Sequence, residues 1–316
     1  MNSAVRTETV PEALAGQRVD NFLLRHLKGV PRTRVYRLLR RGEVRVNGGR
    51  VKPTRRLAAG DRVRIPPVRA SDNRPTTPSA SVARRLEAAI LHEDERLLII
   101  DKPSGLAVHG GSGIAYGIVE ALRTLRPQCQ FLDLAHRLDR DTSGCLVLAK
   151  RRSTLRAVHE AFRDGGVDKR YTALLHGDPG GQRRRVTRPL AAATGKGGER
   201  MMRVDPNGQR AETAFKRLTQ YPDCALVEAD LYTGRTHQIR VHAASIGHPV
   251  AMDDRYGDPA ADRRLRALGL RRLFLHATSL AFDTPQGRVC VSAPLPESLT
   301  TVLERLQSGS VSTDSQ

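Results

Sequence analysis

A chain of 316 residues can bury a sizeable core and divide into more than one domain. Its 53 Lys and Arg against 33 Asp and Glu leave a formal charge of +20, a self-repulsion tolerated mainly when the partner is a polyanion, so nucleic acid is the expected partner. No apolar run approaches a membrane span, the first residues lack the apolar core of a signal peptide, and Cys129, Cys145, Cys224 and Cys290 form no C-x-x-C pair; these features argue against a membrane protein, a zinc site and a disulfide framework, and fit a reducing cytoplasm.

Residues 1–15 are polar and read as a flexible N-terminus. A compact unit follows over 16–69, with 16 basic and 3 acidic residues, so it carries +13 of the total charge. Val19, Phe22, Leu23 and Leu27 recur at helical spacing, as do Val35, Leu38 and Leu39 after Pro31. Arg34, Arg37 and Arg41 fall on another face of that second helix, which Gly42 ends. Val44 and Val46 then alternate into the strong hairpin turn Asn47-Gly48, and Ala59-Gly60-Asp61 turns the chain again into Val63 and Ile65. Two helices followed by a short, hairpin-rich sheet are predicted. The runs Gly16-Gln-Arg-Val-Asp-Asn-Phe-Leu23 and Arg37-Leu-Leu-Arg-Arg-Gly-Glu-Val-Arg-Val-Asn-Gly48 resemble an S4 RNA-binding domain across nearly the whole unit. An arginine face on a small rigid module supplies phosphate contacts, which fix position on RNA without reading sequence; a solvated helix face is the bland alternative.

Residues 70–85 are rich in Pro, Ser and Thr and read as a linker. The second domain spans 86–306. Its short apolar runs at 97–100, 131–134, 145–149, 171–175, 225–227 and 273–275 read as strands, with a helix over 154–162, an α+β pattern dominated by a sheet. The Ser-rich tail 307–316 reads as disordered.

Four segments of this domain carry chemistry. The stretch 101–113 is Gly-rich but has neither a P-loop ending nor a G-x-G-x-x-G fingerprint, and reads equally as a loop near substrate or a plain turn. Ala135-His-Arg-Leu-Asp-Arg-Asp-Thr-Ser-Gly-Cys145 places the carboxylate of Asp139 in a polar turn between two apolar runs, flanked by Arg137 and Arg140. Asp141 reads as structural, bonded to the turn backbone or an arginine. Lys169-Arg-Tyr171 sets a tyrosine at a strand start among basic residues, either to stack on a base or to pack in the core. In Gly234-Arg-Thr-His-Gln-Ile-Arg-Val-His242, Arg235 and Arg240 cannot both be buried without anionic partners. His237 and His242 are five apart, wrong for two metal ligands on one helix face.

His136-Arg-Leu-Asp-Arg-Asp-Thr-Ser-Gly144 resembles the signature of one branch of the pseudouridine synthases, and Lys169-Arg-Tyr171 and Gly234–His242 resemble its other two motifs. With the S4-like unit, the likeness runs in order over 16–306. It implies a mixed, mainly antiparallel catalytic sheet and, without metal or cofactor, isomerisation of uridine to pseudouridine by base extrusion, glycosidic cleavage and reattachment through C5. The expected substrate is large-subunit (23S) ribosomal RNA and the expected state a monomer. By the same resemblance Asp139 is the catalytic carboxylate, Arg240 pairs with it, Tyr171 packs on the target ring, Arg137 fills the gap left by the extruded base, and Leu138 and Ile239 are walls of the base pocket or simply core. Three routes for Asp139 stay open: addition to C6 of the ring, attack at C1′, or removal of the C2′ proton.

Overall fold

The computed structural model describes residues 5–27, 30, 32–68, 78–109, 117–195 and 199–309. The chain divides between Thr76 and Thr77 into two compact units.

In the first unit, strand β1 (Arg6–Thr9) precedes helices α1 (Val19–His26) and α2 (Arg32–Arg41), then strands β2 (Arg45–Val46), β3 (Gly49–Arg50) and β4 (Arg62–Ile65). The two helical stripes meet as their spacing predicts. Val19, Phe22 and Leu23 of α1 and Val35, Leu38 and Leu39 of α2 form one buried cluster with Val44, Val46, Val63 and Ile65. The Asn47-Gly48 turn has φ of 50° and 81° at its two residues, the left-handed pair that a two-residue hairpin needs. The N-terminal segment corrects the sequence reading. Residues 6–9 are a strand paired antiparallel with β4, from Arg6 opposite Ile65 to Thr9 opposite Arg62, and Val10 behind them is buried. The sheet order is β1-β4-β2-β3. Residues 1–4 lie outside the described residues.

The second unit opens with helix α3 (Ala80–Ala88) and strands β5 (Ile90–Glu93) and β6 (Leu97–Lys102). Ser79 caps α3, its hydroxyl accepting from the Val82 amide at 3.4 Å, so the last part of the stretch read as a linker is helical; 70–77 lie outside the described residues. Next come α4 (Ile118–Leu125), β7 (Asp133–Leu134), β8 (Ser143–Ala149), α5 (Arg152–Asp164), β9 (Val167–His176) and β10 (Arg183–Val186). A separate hairpin, β11 (Leu190–Thr194) and β12 (Arg200–Val204), is followed by β13 (Thr213–Gln220), β14 (Cys224–Leu231), α6 (Gln238–Ser245) and α7 (Asp262–Ala267). The unit ends with β15 (Leu275–Thr284), β16 (Gly287–Ser292) and α8 (Glu297–Ser308). Two residues read as tail therefore belong to α8, and 310–316 lie outside the described residues. The run 131–134 contributes only the two residues of β7, and the run 273–275 enters its strand only at Leu275.

One large sheet, in the order β10-β13-β14-β9-β15-β8-β6-β5, organises this unit, with β16 on β15 and β7 on β8. All its pairs are antiparallel except β15 with β8. Both faces are covered, so the central strands read as continuous apolar runs. Leu98, Ile100, Leu146 and Leu148 pack against α3 and α4, while Ile99, Cys145 and Val147 pack on the other face with Val158 of α5. Farther along, Ile239 and Ala243 of α6 pack on one face, and Leu265 of α7 with Leu299, Val302 and Leu306 of α8 join Leu174 and Phe274 in a further cluster. Among the described residues no helix is long and apolar enough to cross a membrane.

The parallel pair explains one glycine. Gly144 has φ of 109°, and a Cβ there would stand 2.3 Å from the Ala277 carbonyl oxygen. Only glycine lets β15 run this close to the strand that leaves the Asp139 turn.

Candidate active site

Asp139 lies in the turn between β7 and β8, where the Thr142 amide donates to its carbonyl at 3.2 Å. The turn is braced from outside by β6. Lys102, fully buried, donates to the carbonyls of Pro103, Leu106 and Arg140 at 3.0, 2.9 and 2.8 Å. The Gly105 amide also reaches the Arg140 carbonyl at 2.9 Å, and the Ser104 hydroxyl reaches that of Asp141 at 2.7 Å. The stretch from Asp101 to Gly105 is thus the support of the Asp139 turn; Gly110 to Gly113 lie outside the described residues. Burial pushes Lys102 down to about 7, against the attraction of Asp141. On the other side of the turn, His136 accepts from the Val147 amide at 3.1 Å and stacks on Phe162 at 5.0 Å. Burial pushes it down to about 4, which leaves a neutral brace. The Asp141 carboxylate accepts from its neighbour Arg140 at 3.2 Å, in keeping with a structural part.

A cleft is lined by Arg137, Leu138, Asp139, Tyr171, Ile239 and Arg240, with Thr142, Leu231, Leu275 and 234–238 completing the wall. Residues about a hundred positions apart converge because β8 and β9 both flank β15, while α6 lies over β9 and its neighbours. Leu138 and Ile239 are each 4% exposed and belong to two different core clusters, so both are wall and core at once. Tyr171 packs against both of those clusters. Burial, then the charge of Asp139, raises its phenol above the ordinary value, so it carries its proton at neutral pH. Arg137 is exposed and lines the opening of the cleft. Arg34, Arg37 and Arg41 belong to α2 of the first unit, where Arg37 and Arg41 are exposed and Arg34 half-buried.

Arg240 is buried and has three acidic neighbours. Its hydrogen bonds go to Asp253, through Nε at 2.7 Å and Nη2 at 2.6 Å, and to Asp254 at 3.0 Å. Nη1 stands 3.7 Å from Asp139 Oδ2. Burial opposes its charge, but Asp253, Asp139 and Asp254 outweigh this and hold the guanidinium above its ordinary value. The pairing with Asp139 is therefore a close ion pair, while the bidentate clamp that fixes the arginine comes from Asp253. Arg235, by contrast, is exposed and donates to the Arg210 carbonyl at 3.1 Å.

Sequence reasoning missed four supporting groups. Gln238, buried, accepts from Thr233 Oγ1 and the Arg235 amide and donates to the Glu212 carbonyl and Thr213 Oγ1, tying the start of α6 to β13. Asp253 accepts from the amides of Arg255 and Tyr256 as well as from Arg240. Lys102 and Tyr256 complete the set. The available signals were a lysine at the end of a buried apolar strand and the polar run from Asp253 to Tyr256 close behind a buried arginine. Of the two histidines, His242 is occupied on both nitrogens by Thr213 and the Arg188 carbonyl, whereas His237 faces the cleft.

Comparison with known proteins gives the family. The family model for RNA pseudouridylate synthase matches residues 96–245, and that for the S4 domain matches 17–63. The ribosomal large subunit pseudouridine synthase C of Pasteurella multocida is 49% identical over 311 residues, covering 97% of this chain and 95% of the relative. The protein of the same name from Escherichia coli is 50% identical over 299 residues, covering 93% and 94%. Among solved structures, human RNA pseudouridylate synthase domain containing 4 superposes with a TM-score of 0.59 at 29% identity, covering 72% of this chain and 96% of its own. Identity of this order along nearly the whole chain leaves one reading: the chain belongs to the RNA pseudouridylate synthase family and is an RNA pseudouridine synthase, an isomerase with an S4 domain at its N-terminal end.

Proposed function

We propose that this enzyme converts specific uridines of large-subunit ribosomal RNA into pseudouridine, with Asp139 as the catalytic carboxylate. The relatives named for that RNA, at about half identity over nearly full length, support the substrate. The observation that carries the chemistry is Asp139 at the wall of a cleft, 3.7 Å from a buried arginine and within the field felt by the Tyr171 phenol.

The reaction breaks the N1–C1′ bond, turns the uracil and forms a C5–C1′ bond; N1 gains a proton and C5 loses one, so atoms and charge balance. Neither bond is reachable inside a stacked helix, so the uridine leaves the stack to enter the cleft. Arg137 at the rim fills the space it vacates. Leu138 and Ile239 give the ring an apolar slot, and Tyr171 packs on its face. Arg240 neutralises and orients the Asp139 carboxylate, which acts at C6, C1′ or the C2′ proton. The S4 arginines Arg34, Arg37 and Arg41 hold the RNA by its phosphates. The work is done in the cytoplasm, where ribosomal RNA is found.

The test is a map of pseudouridines in large-subunit RNA from cells with and without the gene, rescued by wild type or Asp139→Asn. Specific pseudouridines disappear without the gene and return only with the wild type, while Asp139→Asn keeps RNA binding. Restoration by Asp139→Asn overturns the role of the carboxylate; an unchanged map overturns the substrate.

A further inference from the structure

Arg240 and His237 approach the same oxygen of Asp139. Arg240 Nη1 is 3.7 Å and His237 Nε2 is 3.9 Å from Oδ2. His237 also has an unusual backbone. It sits just before α6 with φ of 54° and ψ of 20°, a left-handed conformation uncommon for any residue with a side chain. Its Nδ1 lies 2.8 Å from the Tyr256 hydroxyl, and that hydroxyl accepts from the Met202 amide of β12 at 2.9 Å.

The proton assignment that gives the Tyr256 hydroxyl both an acceptor and a donor partner runs as a chain from Met202 through Tyr256 to His237. The Met202 amide can only donate, so it occupies a lone pair of the Tyr256 oxygen. Burial raises the Tyr256 phenol, which keeps its proton; the acceptor in reach is His237 Nδ1. With Nδ1 accepting, the neutral imidazole carries its proton on Nε2, the nitrogen that faces Asp139. Burial, opposed by Asp139, holds His237 below its ordinary value, in keeping with the neutral ring. Tyr256 is itself fixed: its amide donates to Asp253 Oδ1 at 3.0 Å, and the Arg240 guanidinium lies 5.2 Å from its ring centre.

We infer that His237 is a positioning residue for Asp139, its Nε2–H set toward Oδ2 by Tyr256 so that Oδ1 is the oxygen left to act on the nucleotide. The inference rests on the reading of Asp139 as the catalytic carboxylate. One clamp, Asp253 with Tyr256, then orders both groups that face Oδ2, and the amide of β12 ties the separate hairpin to the same chain of hydrogen bonds.

Two substitutions separate this role from a backbone one. His237→Gln places an amide N–H near the Nε2 position; His237→Asn places one near Nδ1, out of reach of Asp139. Asparagine is the better residue for a left-handed backbone, so a purely structural His237 favours Asn and a positioning His237 favours Gln. The assay is release of tritium from C5 of [5-³H]uridine-labelled RNA taken from cells lacking the gene. Expected is a kcat for His237→Gln within about threefold of wild type and for His237→Asn lower by about 100-fold, with KM little changed in both. Tyr256→Phe, which keeps the ring and removes the hydroxyl, lowers kcat by about tenfold. Asn equal to or better than Gln overturns the inference. So do wild-type rates for all three variants when Asp139→Asn is inactive, and this leaves the reading of Asp139 intact. Turnover by Asp139→Asn removes that reading and the inference with it.

Discussion

One buried side chain, Lys102, decides how firmly the Asp139 turn is held. Lys102 has three protons and three carbonyl acceptors, and one of them, at Arg140, belongs to the residue after Asp139. Lys102→Met keeps an unbranched side chain, one atom shorter, and loses every bond. A shift of about 1 Å in a catalytic group can cost about 100-fold, so kcat is expected to fall by about ten- to a hundredfold in the tritium-release assay. The same substitution reports on pH. The folded chain releases the Lys102 proton near 7, while the unfolded chain holds it to 10.5. Between those values the unfolded state binds more protons, so this group's contribution to stability rises with pH. Chemical denaturation from about pH 7 to 10 is expected to show wild type gaining stability relative to Lys102→Met, by at most about 1.4 kcal/mol per pH unit. A constant difference across that range rejects the depressed value.

At the scale of the element, α2 of the S4 domain joins fold to binding. Its Val35, Leu38 and Leu39 are buried, and Arg34, Arg37 and Arg41 project from another face. Replacing these three by Ala is expected to weaken RNA binding across sequences and to flatten the slope of log affinity against log salt by about 2 to 3, because each phosphate no longer neutralised removes about 0.7 to 0.9 from it. Filter binding at several salt concentrations measures it, and an unchanged slope removes the arginines from the interface. Elements differ in how plainly a sequence announces them. Both S4 helices are legible because each buries a stripe at helical spacing. Strand β1 is not, because Arg-Thr-Glu-Thr buries no side chain; only the backbone ladder to β4 makes it a strand. The start of α3 hides for a related reason: Ser79 resembles its Pro/Ser/Thr-rich surroundings until its hydroxyl caps a helix.

On the scale of the whole molecule there are two units, each with its own apolar core. Asp20 tests their independence. It is fully buried between α1 and α2, accepts from Arg18 at 3.1 and 2.6 Å, from the Tyr36 hydroxyl at 2.7 Å and from the Asn21 amide at 2.9 Å. The Arg18 hydrogen bonds, against the opposing effect of burial, hold it at about 2 instead of 3.8. Its stabilisation is complete above 3.8 and is lost as pH falls through about 2, a contribution on the order of 2 kcal/mol. Asp20→Asn is therefore expected to lower the unfolding transition of the S4 domain at about pH 7, leave that of the catalytic domain in place, and approach wild type as pH falls to about 2. Calorimetry that shows one transition moving as a whole rejects independent units.

The family was legible in the sequence because its motifs are local. Asp139, with the arginines and small polar residues around it, is written in eleven consecutive positions, and helical and alternating periods record which faces are buried. Tertiary structure alone decided the rest. That Asp253 and Asp254 rather than Asp139 take the hydrogen bonds of Arg240, that Lys102 braces the Asp139 turn, and that Tyr256 orders His237 are all contacts between separate segments. No periodicity encodes them, because a buried charge can take any opposite charge as partner. The choice is fixed only when β8, β9 and α6 are brought together around β15 and each polar group removed from water must find its bond.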